Sequence, residues 1–301
     1  MTEIDEPSGR HRLPRQIGAF VIDKELWRGE HSRVYLARDP KEHTAVALKV
    51  LFAGRKNDAQ QQRLLAEREA ARLRELNHPN IIALKEAGEI NGTPFLSFPF
   101  IDGLGLDQAL ARKNLNTAQI LQAAVKVCAA LQHAHALGIF HRDLKPRNIL
   151  IDKNGEPFVL DWGLSWKKSD AAKIGEQTIA GTPAYMSPEQ ARGEEKKLTA
   201  ASDVYSLGAI LYHLLTGRPP FEADSSWKTL QMAMSMPAKP PSEMQTSLDE
   251  RVDKVVMRCL EKDPGERYPT AQQLGDDLQR VLNGQPPKGP SMSGLLSRIF
   301  G

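Results

Sequence analysis

The sequence predicts an α+β protein built in two parts, and three observations carry that prediction. Apolar and β-branched residues alternate with polar ones through 17–50, the period of half-buried strands. After residue 101 the spacing changes to that of helices, in stretches of a dozen residues or more. Among those helices stand two polar segments, His141-Arg-Asp-Leu-Lys-Pro-Arg-Asn148 and Asp161-Trp-Gly163, that gather carboxylates, cations and an amide. The fold class is therefore a five-stranded antiparallel sheet with one main helix, followed by a mostly helical part.

Residues 1–16 are polar, with Pro7, Gly9 and Pro14, and read as a flexible lead-in. Three strands follow over Ile17–Leu26, Arg33–Arg38 and Thr44–Val50, with turn signals at 28–31 and 39–42. Helical spacing over Asn57–Leu76 offers Leu64, Leu65, Ala70, Leu73 and Leu76 as an apolar face, and Pro79 ends it. Two more strands, Ile81–Glu86 and Phe95–Phe100, flank the Asn91-Gly92 turn. Helices then occupy Thr117–Leu137, Asp203–Thr216, Leu248–Leu260 and Thr270–Leu282, stopped by Gly138, Gly217 and Gly284 where a left-handed residue closes a helix. The Asp203–Thr216 stretch is apolar on nearly every side, which suits burial in a core. Residues 283–301 read as a flexible tail whose last eight are too short to span a bilayer. Disorder and partner docking are both open for it.

Composition narrows the function classes. A formal charge of +3 on 301 residues calls for no nucleic-acid or membrane surface. Cys128 and Cys259 fall inside helical patterns and read as buried thiols, not a disulfide. The N-terminus is acidic, unlike a signal peptide, and no run approaches about 18 apolar residues. The expectation is a cytoplasmic protein with no transmembrane segment and no nucleic-acid partner. The two polar segments suit phosphoryl transfer, whose loose transition state spreads charge over phosphate oxygens and is stabilised by positioning and cations.

Taken in order, seven motifs over 17–282 resemble those of the eukaryotic-like (Hanks-type) serine/threonine protein kinases, most closely the bacterial branch. They are Ala45-Val-Ala-Leu-Lys49, Glu69 on the next helix, Phe95–Ile101, the 141–148 loop, Asp161–Gly163, Gly181-Thr-Pro-Ala-Tyr-Met-Ser-Pro-Glu189 and Asp263-Pro-Gly-Glu-Arg267. Their conjunction is far more specific than any one alone. The resemblance implies a bilobal protein-kinase-like fold, with an N-lobe at 17–101 and a C-lobe at 102–282, and an enzyme that transfers the γ-phosphoryl of ATP to Ser or Thr hydroxyls of proteins, itself included. It implies ATP and Mg²⁺ (or Mn²⁺) as cofactors, protein substrates as partners, and dimers for autophosphorylation.

By the same resemblance Lys49 contacts the phosphates and pairs with Glu69. Glu67, two residues away on a helix, faces elsewhere. Asp143 takes or orients the substrate proton, and Lys145 stabilises the transferring group. Asn148 and Asp161 hold metal. Leu26, Gly29, Val34, Ala47 and Leu150 surround the nucleotide, with Phe98 as gatekeeper and the backbone of Pro99 and Ile101 facing the adenine. Thr182 should bond toward Asp143 and Lys145, Glu189 should pair with Arg267, and Asp203 should hold the catalytic-loop backbone. Leu73, Leu84, His141 and Trp162 should stack as an apolar column. Arg142 implies control by an activation-loop phosphate, at Ser165, Ser169 or Thr178.

The chain departs from the family at the glycine-rich loop, where Trp27-Arg-Gly-Glu-His-Ser-Arg-Val34 keeps only Gly29 of three glycines. Trp27 limits the turn and sets bulk over the ribose, so Trp27→Gly is expected to improve ATP affinity. Trp162 replaces the usual Phe. An active kinase, a kinase-fold scaffold with little turnover and a small-molecule phosphotransferase are the three readings. The full set of charged residues favours the first, and the peptide-docking segment 181–189 disfavours the third.

Overall fold

The structure, a computed structural model, describes residues 13–29, 32–52, 59–112, 115–163, 165–167 and 181–289. Contacts divide the chain into two units, Met1–Asn77 with Ile82–Asp102, and His78–Ile81 with Gly103–Gly301.

The first unit is an antiparallel sheet with one helix. Its strands are β1 (Gln16–Ile17), β2 (Phe20–Arg28), β3 (Ser32–Arg38), β4 (Ala45–Leu51), β5 (Glu86–Ile90) and β6 (Thr93–Pro99), in the order β1-β2-β3-β4-β6-β5. Among the described residues this sheet has six strands, not the expected five. Gly18, at φ +57°, turns the chain between Ile17 and Phe20, so the first expected strand is two paired ones. The fourth expected strand, Ile81–Glu86, is also displaced. Asn91 (φ +50°) and Gly92 (φ +82°) form the two-residue turn that matches strand twist, and the ladder runs back from Ile90–Thr93 to Glu86–Ser97. Ile81 and Ile82 are buried outside it.

Alternation along β2–β4 and β6 sends Phe20, Ile22, Tyr35, Ala37, Val46, Leu48, Val50 and Phe95 into one core. Helix α1 (Ala59–Glu75) buries Gln62, Ala66, Glu69, Ala70 and Leu73, one face at helical spacing. That face is offset from the one expected. Leu64 is 46% exposed, because the buried stripe runs through 62, 66 and 69. Asn57, the expected helix start, lies outside the described residues.

The second unit contains β7 (Gly103–Gly105), α2 (Leu106–Arg112), α3 (Thr117–Ala136), β8 (Ile139–Phe140), β9 (Ile149–Asp152), β10 (Pro157–Val159), β11 (Trp166–Lys167), α4 (Pro188–Ala191), α5 (Ala200–Thr216), α6 (Ser226–Ser235), α7 (Pro241–Met244), α8 (Glu250–Cys259) and α9 (Ala271–Leu282). Helix α5 is its core, with every residue from Ala201 to Tyr212 buried. Helices close up tightly around it. A Cβ on Gly208 would come 2.3 Å from the Cβ of Cys259, and one on Gly275 3.0 Å from that of Cys128. Both cysteines are free and buried, as expected, and burial pushes both thiols above their ordinary range. Thr270 caps α9 by accepting from Gln273 N. Beyond the helix, buried Asp277 accepts the N–H groups of Lys288 and Gly289 at 2.8 Å each. Residues 1–12 and 290–301, the ends of the expected lead-in and tail, lie outside the described residues. Among the described residues no helix is long and apolar enough to cross a membrane.

Candidate active site

In the strand unit the site begins with register. Val34 pairs with Lys49 and Lys49 with Leu96, while Leu36 pairs with Ala47 and Ala47 with Phe98. Directly opposed residues share a face, so Val34, Ala47, Lys49 and Phe98 line the face opposite the core. Lys49 Nζ donates to both carboxylate oxygens of Glu69, at 2.8 and 2.9 Å. Glu69 is 2% exposed whereas Glu67 is on the open side of α1, which is the choice helical period makes. The hinge follows, with Phe98 buried, Pro99 exposed and Ile101 half-buried.

At the glycine-poor turn Gly29 N donates to Ser32 O at 2.8 Å and ties β2 to β3. The Trp27 ring is folded onto Gly29, where an added Cβ would meet it at 1.9 Å. A side chain at 29 would therefore displace the indole from this position. Leu26 and Trp27 are each 38% exposed.

In the helical unit, α3 and β8 deliver the catalytic loop onto the start of α5. Asp203 accepts the backbone N–H of His141 (2.9 Å) and of Arg142 (3.0 Å), and a bond from His135 Nε2 (2.8 Å). Burial pushes this carboxyl upward, yet the His135 bond and charge, helped by His141 and the Arg142 amide, hold it below the ordinary range. Gln190 Nε2 donates to Arg142 O at 2.6 Å. Arg142 sits at φ +67°, a left-handed backbone that a side-chain-bearing residue adopts only when its surroundings dictate it.

The result is a fixed Asp143. Lys145 Nζ pairs with its Oδ2, and Asn148 Nδ2 donates to its backbone oxygen at 2.8 Å. Asp143 Oδ1 is buried and, among the described residues, accepts no hydrogen bond. Leu160 N bonds Asn148 O at 2.8 Å, bringing the Asp161 turn beside Asn148. His141 Nε2 bonds Leu160 O at 3.0 Å and its ring packs on Trp162 with centroids 4.7 Å apart. Trp162 is fully buried, so tryptophan fills the apolar position that the resemblance gave to Phe. Asp161 takes φ +58° and is exposed. An amide oxygen and a carboxylate are hard donors, and two of them suit a divalent cation that keeps water and phosphate as its other ligands. Leu150 is half-buried on β9.

One expected bond is absent among the described residues: the Thr182 hydroxyl bonds neither Asp143 nor Lys145, which pair with each other. Glu189 and Arg267 meet as expected, at 2.8 and 2.9 Å, both buried, with Ser202 Oγ adding a bond at 2.7 Å. Of the activation-loop hydroxyls, Ser169 and Thr178 lie outside the described residues, and that of Ser165 is buried. Glu195, which no motif singled out, pairs with the Arg142 guanidinium at 3.2 Å.

The protein kinase domain family matches residues 20–278. The chain belongs to the protein kinase family. It is 38% identical over 280 residues to the serine/threonine-protein kinase PknB of Mycobacterium tuberculosis, covering 91% of this chain and 44% of that protein. To a probable serine/threonine-protein kinase of Streptomyces coelicolor it is 34% identical over 292 residues, covering 94% and 43% respectively. A probable PknB of Bifidobacterium longum matches at 33%, covering 92% and 42%. The chain thus spans under half the length of these curated relatives. Protein kinases as a family use ATP and a divalent metal ion.

Proposed function

We propose that this chain is a serine/threonine protein kinase that transfers the γ-phosphoryl of ATP to protein hydroxyls, with Mg²⁺ as the metal. The observation that carries the reading is the Asp143 carboxylate. One oxygen is held by Lys145 and the other, buried Oδ1 accepts no bond from any described residue. A buried carboxylate oxygen left without a donor is costly unless a donor arrives, and an incoming hydroxyl supplies one. Asp143 then orients the hydroxyl and takes its proton as the oxygen attacks phosphorus. Lys145, freed to face the transferring group, offsets its charge. Lys49, aimed by Glu69, binds the α/β-phosphates, and Leu26, Gly29, Val34, Ala47, Phe98, Pro99, Ile101 and Leu150 take the nucleoside. Asn148 and Asp161 would hold the metal, which would supply positive charge to offset that of the phosphates. Named relatives act on Ser and Thr, and Lys145 two residues after Asp143 agrees with that choice. Use of ATP favours the cytoplasm, and autophosphorylation would bring two copies together.

A labelled-ATP assay on purified protein tests this. Autophosphorylation on Ser or Thr is expected to fall at least about 100-fold in Asp143→Asn and in Lys49→Met, the range of a lost proton acceptor or charge clamp. Equal label in wild type and Asp143→Asn would overturn the enzyme reading and leave the scaffold.

A further inference from the structure

An arginine next to the catalytic aspartate needs an anion, and in this chain it already has one. Arg142 Nη2 lies 3.2 Å from Glu195 Oε1, and both side chains are more than four-fifths buried, at 18% and 19% exposure. Glu195 is not on a loose loop. It opens a short 3₁₀ turn, Glu195–Lys197, that follows α4 through bonds of Glu194 N to Glu189 O (2.9 Å) and Glu195 N to Gly193 O (3.0 Å). The same segment also supplies Gln190, which grips Arg142 O, and Ser187 and Gln190 fix each other through a capping box. Residues 187–195 thus hold Arg142 at its carbonyl and at its guanidinium, while Asp203 holds its amide. Three anchors converge on the one left-handed residue that sets the direction of Asp143.

We propose that Glu195 is a positioning residue for phosphoryl transfer, a permanent carboxylate partner that keeps Arg142, and through it Asp143, in working geometry without a phosphate. The inference deepens the kinase reading and rests on it. A charge-assisted bond at a partly buried site is among the stronger polar contacts. Losing it releases the guanidinium, and the left-handed backbone then relies on Asp203 and Gln190 alone. Chemistry suffers, while nucleotide binding, which Arg142 does not touch, is spared.

The test uses protein freed of phosphate by a phosphatase and checked by mass. Wild type in that form is expected to turn over a peptide substrate. Glu195→Gln should lower kcat about tenfold, the factor carried by one charge-assisted bond, with KM for ATP unchanged. Glu195→Asp should recover most of the loss, and Glu194→Gln, which removes the neighbouring surface pairs with Lys197 and Arg192, should match wild type. In an Arg142→Met background Glu195→Gln should cost nothing more. An unchanged kcat in Glu195→Gln, or an equal loss with and without Arg142, would overturn the proposal. So would phosphate-free wild type that is inactive while the phosphorylated form is active. If wild type is inactive in both forms, the kinase reading itself falls.

Discussion

The two units fix their charged residues by different means. In the strand unit Lys49 and Glu69 meet because two periods agree, alternation on β4 and the helical repeat on α1. Apolar packing sets the spacing and the ion pair follows from it. In the helical unit the catalytic loop lacks a regular period, and buried polar side chains from distant positions hold it. Asp203 reaches back more than 60 residues to His141 and Arg142, and Arg267 reaches 78 to Glu189. A strained loop needs such over-determination, whereas a strand does not.

The contrast can be broken most severely at Arg267. It is fully buried, and besides Glu189 it donates to the carbonyls of Glu261, Lys262 and Ala201. Arg267→Ala would leave Glu189 charged and unpaired. Its carboxyl is pushed up by burial but held below the ordinary range overall, chiefly by Arg267. The expected cost is about 3–5 kcal/mol in denaturant unfolding. Glu189→Ala combined with Arg267→Ala should cost less than the sum, and additive losses would show that the two do not act as a pair.

A smaller effect is expected at the strand unit's own polar anchor. Buried Asp39 accepts the N–H groups of Glu42 and Lys41 and pairs with Lys85 at 3.0 Å. Those backbone bonds first, and Lys85 after them, hold its pKa at about 2. A carboxyl depressed by folding contributes stability above its unfolded pKa of about 4, and that contribution fades as pH falls toward the folded value. Asp39→Asn should therefore cost about 1–3 kcal/mol at neutral pH, and the gap to wild type should close between about pH 4 and pH 2. A gap that is constant with pH would mean that the charge of Asp39 contributes nothing.

The same contrast explains what could be read from the sequence. The resemblance assigned Glu69 to Lys49 and helical period excluded Glu67, while Val34, Ala47 and Phe98 came from the resemblance and the strand register explains why they share the lysine's face. Period failed where a single residue overrides it. Gly18 cut one strand in two, and the Asn91-Gly92 turn moved the next strand to Glu86. On α1 hydrophobicity and helical phase disagree at Leu64, and phase wins: Gln62 takes the buried place and Leu64 faces outward. The catalytic loop was legible only through its resemblance to a family, since nothing in residues 141–148 foretells that Asp203 or Gln190 will hold them. Glu195 was invisible for the same reason. It lies 53 residues from Arg142 in a polar stretch without a pattern.

The smallest expected effect falls where strand order and catalytic need meet, at Trp27. The sequence suggested that its bulk hinders ATP and that glycine would help. The structure folds the ring onto Gly29, whose N–H bonds Ser32 O. Ring and glycine then act as one unit, with the indole filling the space that a side chain at 29 would occupy. Trp27→Gly would remove that support and leave two glycines in three residues. Freeing the backbone at one position costs roughly 0.5–1 kcal/mol, and the loop must be ordered again each time nucleotide binds. ATP affinity is therefore expected to weaken about two- to fivefold, read by calorimetry or by the ATP-dependent rise in melting temperature. A tighter complex would show that the ring obstructs the nucleotide after all, and that this turn gains nothing from replacing glycine flexibility with packing.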